Sequence, residues 1–166
     1  VTQTRELARG LSPVSGGPKG AADGTLSCMM GGDAEVVARV RPMMEAIGKT
    51  FVHVGPAGAG QVVKSCNQLV ICATMLGMSE AVALGRKTGI DPARMRDALL
   101  GGAAQSFVMQ NHCKRLIDGT LEPGFRAALM LKDMKIAQSV GRDTGTFMPA
   151  TGLAAQMLGA LCETGR

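Results

Sequence analysis

The chain has 166 residues, 46% of them hydrophobic, and this length allows a buried core in one domain or in one domain plus part of another. Its 12 methionines stand against 4 phenylalanines and no tryptophan or tyrosine, which argues against a nucleic-acid binder that stacks bases on aromatic rings. The formal net charge of +5 comes from cations scattered among acids, and it also suits carboxylate substrates and phosphate-bearing cofactors.

The five cysteines are odd in number and include no Cys-x-x-Cys pair, which predicts reduced thiols in a cytoplasmic protein. Among them, Cys66 is expected to be a buried helix residue. No signal peptide opens the sequence, and no uncharged apolar stretch reaches the roughly 20 residues that span a bilayer. We therefore expect a soluble protein that binds neither nucleic acid nor a membrane.

Short apolar runs alternate with glycine-rich turns over residues 1–56, a pattern typical of an α/β domain. Asp33 is a suitable N-cap residue, and the second of two apolar runs is rich in β-branched and aromatic residues. The predicted elements are a helix remnant at 5–9, strands at 27–30 and 50–54, and a helix from Asp33 to about Ala46.

From Gly58 onward the strand pattern stops, and apolar residues recur at helical spacing. One long helix is predicted from Gly58 to Gly89, a natural terminating glycine, and Asp91-Pro92 caps the next helix. That helix ends at Gly101-Gly102, and further helices are predicted over 105–118, from about 126 to 141 or slightly beyond, and from Pro149. The predicted fold is therefore mainly α, with an all-helical domain over residues 57–166.

The segment Pro13-Val14-Ser15-Gly16-Gly17 is the first that could bind a ligand. Its two glycines let backbone N–H groups approach an anion, and the Ser15 hydroxyl can supply a further donor. This chemistry suits a substrate carboxylate. The same residues also form ordinary turns, so the pattern by itself leaves both interpretations open.

Lys64 follows the glycine-rich segment Gly55-Pro56-Ala57-Gly58-Ala59-Gly60-Gln61, near the start of the long helix. A helix N-terminus favours anions, and Asn67 and Gln68 share a helix face with Lys64 because they lie three and four residues further on. The glycine spacing differs from the dinucleotide fingerprint G-x-G-x-x-G. By spacing alone, a solvated helix lysine is the simpler interpretation.

Phe125 precedes the pair Lys132-Asp133, which lies on the helix predicted from about residue 126 to 141. Lys132 could reach a cofactor or substrate, or it could be an exposed lysine in a weak surface ion pair. His53 in a strand and His112 on a helix have no neighbours in the sequence that predict a metal site or a catalytic triad. The methionines at helical spacing are expected in the core.

Taken in order, these segments resemble the β-hydroxyacid dehydrogenase family, which includes 3-hydroxyisobutyrate dehydrogenase and tartronate semialdehyde (2-hydroxy-3-oxopropionate) reductase. The resemblance covers nearly all of the chain from Pro13 onward. Its landmarks are Pro13-Val14-Ser15-Gly16-Gly17, Gly24-Thr25-Leu26, Met30-Gly31-Gly32, His53-Val54-Gly55, Gly58-Ala59-Gly60-Gln61 with Lys64 and Asn67, Glu80-Ala81, and Phe125 ahead of Lys132-Asp133.

The resemblance implies a C-terminal remnant of a Rossmann NAD(P)-binding domain, a long interdomain helix, and a helical domain like that of 6-phosphogluconate dehydrogenase. It also implies oxidation or reduction of a small β-hydroxy acid or semialdehyde with NAD or NADP. The implied roles are a substrate-binding turn for Ser15, Gly16 and Gly17, catalytic proton transfer for Lys64, substrate-site amides for Asn67 and Gln68, and cofactor binding for Phe125 and Lys132.

Several departures from the family pattern modify these expectations. Leu11-Ser12 stand where the family usually has Asp-Ala, and the strand expected ahead of them is missing from the sequence. Gln68 replaces an asparagine of many members and favours the semialdehyde reductase branch. The glycine-rich cofactor half is absent, so NAD or NADP is expected to bind this chain weakly by itself. The alternative is a non-catalytic helical dimerisation module, and a homodimer or larger oligomer is expected in both cases.

Overall fold

The computed structural model describes residues 12–120, 122 and 124–165, so the predicted helix remnant at 5–9 lies outside the described residues. The elements are strands β1 (Val14–Ser15), β2 (Leu26–Gly31) and β3 (Gly48–Gly55), helices α1 (Gly17–Ala22), α2 (Ala34–Met44), α3 (Ala59–Lys87), α4 (Pro92–Leu100), α5 (Cys113–Asp118), α6 (Ala127–Thr144) and α7 (Pro149–Glu163), and a π-helix (Val108–His112) that directly precedes α5. The mainly helical fold with a small sheet agrees with the prediction.

The described strands form one sheet in the order β1-β2-β3. β1 pairs antiparallel with β2, which places Ser15 opposite Ser27, and β2 pairs parallel with β3. Two parallel neighbours need a crossover, and α2 supplies it. β2 is the buried centre of the sheet: Leu26, Cys28 and Met30 are each at most 6% exposed.

The C-terminal end of β2 lies against the start of α3 at Gly31, where any larger residue would be crowded. A Cβ atom on Gly31 would lie 2.9 Å from the Pro56 carbonyl oxygen and 3.0 Å from the Gly60 backbone nitrogen. Both distances are shorter than a carbon atom tolerates against backbone. The Met30-Gly31-Gly32 landmark therefore has a packing reason, because this approach holds the segment that leads to Lys64.

Two hydrophobic clusters stabilise the helical part, and α3 contributes to both. Its buried side chains point to different neighbours along its length, as the helical spacing predicts. The first cluster contains Met78, Val82, Val108, Met109 and Cys113, and the second contains Cys72, Met134 and Ala154. The prediction that methionines at helical spacing lie in the core is confirmed for Met78, Met109 and Met134, whereas Met75 and Met157 are 37% and 52% exposed.

α3 is long and apolar enough to cross a membrane by length and composition, and it alone among the helices of the described residues passes both criteria. Core helices of soluble proteins share these properties. Cys72, Met78 and Val82 of α3 belong to the two clusters. Only 28% of the most apolar window of α3 is buried, however, so this helix also carries a large exposed apolar surface.

The chain divides into two compact units, of which the first ends at Asn67 and the second begins at Gln68. The boundary in the sequence therefore falls inside α3. The composition changes earlier, at residues 56–57, and the division into a cofactor-domain remnant and a helical domain at that point stays a prediction.

Most predicted elements are confirmed with small changes at their ends. Asp33 precedes α2 as the N-cap residue, although its side chain makes no capping bond, and α2 ends at Met44. The Asp91 cap is confirmed, because its Oδ1 accepts a hydrogen bond of 2.8 Å from the backbone N–H of Ala93. β1 and α1 were not predicted; the Ser15 turn joins them.

The helical stretch predicted over 105–118 is confirmed from Val108 to Asp118, and its first part is a π-helix, Val108–His112. The Arg96 guanidinium donates to the Met109 and Gln110 carbonyl oxygens at 3.2 and 2.9 Å. The prediction for Cys66 was wrong: it is exposed rather than buried, because the core-facing side of α3 at this level carries Ser65 and Gln68.

Candidate active site

The predicted substrate turn lies where β1 passes into α1. Ser15 is the last residue of β1, and Gly16 and Gly17 follow with φ angles of 135° and 63°. Both values fall in the left-handed region that residues with a Cβ rarely adopt, so this turn needs its glycines. Gly16 and Gly17 are exposed, while Ser15 is half-buried. The turn thus presents backbone at the surface and directs one hydroxyl inward.

That hydroxyl contacts α3. Ser15 Oγ donates to Oδ1 of Asn67 at 3.4 Å, a contact between residues 52 positions apart in the sequence. The distance is at the long end of hydrogen bonding, so the bond is weak, but it places the two predicted substrate-binding groups side by side. Within the unit that ends at Asn67, two separate predicted motifs therefore meet.

Lys64 lies one helical turn before Asn67 on α3 and is half-buried. Residues three apart on a helix have their Cβ atoms about 5–6 Å apart, so the Lys64 side chain starts beside the Ser15–Asn67 contact. Ser65, the next residue, is 8% exposed and turns toward the interior. An amine, an amide and a hydroxyl are thus gathered at the start of α3, which is a combination able to bind and protonate an oxygen.

Gln68 opens the second unit and contacts a residue that was not among the predicted site residues. It is only 4% exposed, and its Nε2 donates to Oδ2 of Asp133 at 2.8 Å. The other carboxylate oxygen, Oδ1, pairs with Lys132 Nζ at 2.9 Å. The Asp133 side chain is 13% exposed, so a nearly buried carboxylate connects a buried amide to the predicted cofactor lysine.

Phe125 and Lys132 are both on the surface of the helical unit, with Phe125 51% exposed just ahead of α6. Lys132 lines an open groove of about 540 Å³ along α6. The groove also contains Lys135 and Arg142 and no acidic side chain, so its field favours an anion. This charge pattern fits a phosphate-bearing ligand beside Lys132.

Two shifted pKa values describe the surroundings of the helical unit. Burial raises the pKa of the Cys72 thiol, and the charge of Asp133 adds to that rise. Burial also lowers the pKa of His112, and the nearby Arg115 charge contributes. Both groups are therefore held neutral, and neither has the low-pKa thiolate or imidazolium character of a nucleophilic site.

Sequence patterns missed one contact residue in each unit. Asp133 has an indirect signal, since it neighbours Met134 and Ala137 on the buried face of α6. His53 was considered isolated, yet its Nε2 lies 2.8 Å from the Gly32 oxygen and 3.1 Å from the Gly55 oxygen. Among the described residues, no group of three His, Cys, Asp or Glu side chains is arranged to hold a metal ion.

Two models of known protein families match nearly the whole chain. Residues 58–166 match the family model described as NAD-binding of NADP-dependent 3-hydroxyisobutyrate dehydrogenase. Residues 4–55 match the model of the NAD binding domain of 6-phosphogluconate dehydrogenase. The two models together cover both units, and both describe NAD-binding domains.

Individual relatives are similar over nearly the whole chain. The 2-hydroxy-3-oxopropionate reductase of Escherichia coli is 39% identical over 154 residues, which are 93% of this chain and 53% of the relative. The NAD-dependent L-serine dehydrogenase of Pseudomonas aeruginosa is 35% identical, over 99% of this chain and 58% of the relative. The chain thus spans about half the length of the curated relatives that it matches.

A solved structure agrees in fold. The 3-hydroxyisobutyrate dehydrogenase of Mycobacterium tuberculosis, determined with L-serine, has a TM-score of 0.84 to this chain at 33% identity. The match covers 92% of this chain and 55% of that protein.

Proposed function

The chain belongs to the β-hydroxyacid dehydrogenase family, and on that premise we propose that it is the substrate-binding and proton-transferring part of an NAD(P)-dependent oxidoreductase. Its substrates are small β-hydroxy acids or the corresponding semialdehydes. The observation that carries the proposal is the contact of Ser15 with Asn67, one turn from Lys64. It joins a turn suited to a carboxylate with a helix that presents an amine.

The proposed roles are substrate binding, orientation of the reacting oxygen and proton transfer. Backbone N–H groups at Gly16 and Gly17, with the Ser15 hydroxyl, bind the substrate carboxylate. Asn67 orients the oxygen that changes between hydroxyl and carbonyl, and Lys64 accepts its proton on oxidation or returns it on reduction. The nicotinamide, when bound, takes or supplies the hydride at the carbon bearing that oxygen. One proton and one hydride leave the alcohol together, so the exchange is balanced.

Lys132 and Phe125 are the residues of this chain that we assign to the cofactor. The cationic groove along α6 fits this assignment, because a dinucleotide carries phosphates. NAD and NADP both remain open. The chain by itself should bind either one weakly, because it contains no G-x-G-x-x-G turn to hold the pyrophosphate.

Within the family, 2-hydroxy-3-oxopropionate is the substrate that we favour over 3-hydroxyisobutyrate. Gln68 favours that branch, and the reductase of Escherichia coli, at 39% identity, is named for this substrate. Names of two other relatives add L-serine, a β-hydroxy acid of the same size, as a compound to test. We further propose that the protein works in the cytoplasm as a soluble enzyme.

The decisive test removes the amine. A cofactor-binding half from a family member, joined ahead of Val1, should restore hydride transfer, and Lys64→Ala should then lower kcat by roughly 10²- to 10⁴-fold. The measurement is NADH or NADPH oxidation with 2-hydroxy-3-oxopropionate or with 2-methyl-3-oxopropanoate, the semialdehyde that is reduced to 3-hydroxyisobutyrate, and NAD or NADP reduction with L-serine. Lys49→Ala is a matched control, because Lys49 is an exposed lysine on β3. A Lys64→Ala rate within a few-fold of the parent would refute the role.

A homodimer is the second part of the proposal, and it also covers the alternative of a non-catalytic dimerisation module. α3 carries a stripe of five positions, of which Val70, Gly77 and Leu84 are exposed and Thr74 and Ala81 are half-buried, with the 3.5-residue period typical of helix pairs. Val70 is 61% and Leu84 66% exposed, and Gly77 between them allows a close approach of backbones. Exposed apolar stripes of this size usually mark an interface.

A further inference from the structure

We propose that His53 is a positioning residue, which holds the segment between β3 and α3 and thereby sets the place of Lys64. This inference rests on the proposed function only in its last step, the consequence for Lys64. Its structural part stands on contacts within the unit that ends at Asn67. His53 lies on β3, opposite Met30 of β2.

The His53 ring joins two strand ends through one nitrogen. Its Nε2 lies 2.8 Å from the carbonyl oxygen of Gly32, which follows β2, and 3.1 Å from that of Gly55, the last residue of β3. Both partners are acceptors, so Nε2 carries the proton and donates to both. The Gly55 oxygen also accepts a bond of 3.0 Å from the Gly32 backbone N–H. Two donors, the His53 ring and the Gly32 backbone N–H, thus converge on the Gly55 carbonyl oxygen.

The segment held in this way leads directly into α3. Gly31, one residue before the clamped Gly32, closes against the Pro56 oxygen and the Gly60 nitrogen, where a Cβ atom would be only 2.9 and 3.0 Å away. Ala59 donates its backbone N–H to the Pro56 oxygen at 3.0 Å and so starts the helix. Backbone contacts therefore connect the His53 ring, through Gly32 and Gly31, to the first turn of α3 without a gap.

Lys64 lies in the second turn of that helix, and its substrate partner Ser15 is attached to the other side of β2. Ser15, through β1, and Lys64, through the start of α3, are thus both held against β2. The His53 clamp, at the end of β2, determines how α3 leaves the sheet. A displacement of about 1 Å at a reacting group can cost on the order of 10²-fold in rate, so a clamp at this point affects catalysis without touching substrate.

The first test needs only this chain. In its neutral form His53 should show the ¹⁵N NMR signature of the Nε2–H tautomer, and an Nδ1–H tautomer would overturn the clamp. His53→Leu removes the donor, and amide exchange at Gly32, Ala59 and Gln61 should then accelerate by on the order of 10-fold. Exchange at Val37 of α2 and at Glu45, the residue that follows α2, should not change, which separates local opening from global destabilisation.

The second test is rescue. His53→Gln places an amide nitrogen the same number of bonds from Cα as Nε2, so it should return exchange to within about two-fold of the parent. Lys49→Ala, on the same strand, should behave like the parent. Failure of rescue, or unchanged exchange in His53→Leu, overturns the proposal.

The catalytic step is tested with a cofactor-binding half joined ahead of Val1. His53→Leu should lower kcat by on the order of 10-fold and leave KM for the nicotinamide cofactor within about two-fold, and His53→Gln should restore kcat. If the exchange results hold but Lys64→Ala keeps its rate, the proposed function fails and the clamp stands. If Lys64 is essential but His53→Leu keeps its kcat, the positioning role fails.

Discussion

Gln68 is a buried amide that contacts a nearly buried carboxylate. It is 4% exposed, and its Nε2 donates to Oδ2 of Asp133 at 2.8 Å. The same nitrogen lies 3.6 Å from the Met130 sulfur. The contact with Asp133 is a structural role that the spacing did not predict, and the substrate role of Gln68 is a separate proposal.

Replacement of Gln68 with Leu should destabilise the protein by roughly 1.5–3 kcal/mol, because a hydrogen bond to a nearly buried carboxylate is lost. Urea unfolding followed by circular dichroism measures the change. Gln61→Leu is the matched control, since Gln61 is an exposed glutamine on the same helix. Equal stability of the two variants would show that the Gln68–Asp133 bond contributes nothing net.

Among the elements of the first unit, β2 is the one against which the segments with proposed site residues pack. β1 pairs along one side of it, β3 along the other, and the start of α3 closes against its end. The close approach at Gly31 also explains why a glycine precedes the Gly32 turn. The element that carries no proposed catalytic residue is thus the one that aligns those that do.

Gly31→Ala tests this arrangement. The added methyl group would meet the Pro56 oxygen and the Gly60 nitrogen, both of which are backbone atoms that cannot rotate away. We expect a loss of about 1–3 kcal/mol of unfolding free energy, the usual result of overpacking. In contrast, Gly152→Ala in α7 has nothing within 4 Å and should be stabilising by up to about 1 kcal/mol. Thermal or urea unfolding of both variants decides between a tight contact and a generic glycine effect.

Apolar periodicity predicts that residues 108–118 are helical, but it does not distinguish the π-helix from an α-helix. The spacing of apolar residues over 105–118 is helical, and Val108, Met109 and Cys113 are indeed buried. Arg96, on α4, donates to two carbonyls of this turn that lie 13 and 14 residues further along the chain. The spacing of apolar residues does not reveal this contact, because neither partner is an apolar side chain.

At the scale of the whole molecule, exposed apolar surface is the feature that most needs an explanation. The stripe on α3 runs from Val70 to Leu84, and α7 exposes Leu153, Met157 and Leu161 on one side. Isolated exposed apolar residues are common, whereas aligned ones on a long helix are not. The proposed homodimer would bury the α3 stripe.

Sedimentation equilibrium on this chain checks the dimer. The parent should be dimeric at tens of micromolar, and the double substitution Val70→Asp with Leu84→Asp should weaken dimerisation at least about 10-fold, because charges would enter an apolar interface. Met43→Asp is the control, since Met43 is 74% exposed on α2, outside the stripe. A monomeric parent, or a double variant that dimerises equally well, would contradict the assignment.

The amino-acid sequence by itself determined the family, the order of the strands and helices after α1, and the residues to which roles are assigned. Hydrophobic periodicity, capping residues and ordered landmarks act over short stretches of chain, so they are visible without a structure. Ser15, Lys64 and Asn67 could be named in this way, although Lys64 alone resembled an ordinary helix lysine.

Only the tertiary structure decided which groups meet. The Ser15–Asn67 contact, the Gln68–Asp133 bond and the His53 clamp each join residues that are distant in sequence or that act through backbone carbonyls. Cys66 was misjudged for the same reason, because which side of α3 is covered depends on what packs against it. The spacing along a helix determines the direction in which a side chain points. Which residue it contacts in that direction is determined by the tertiary structure.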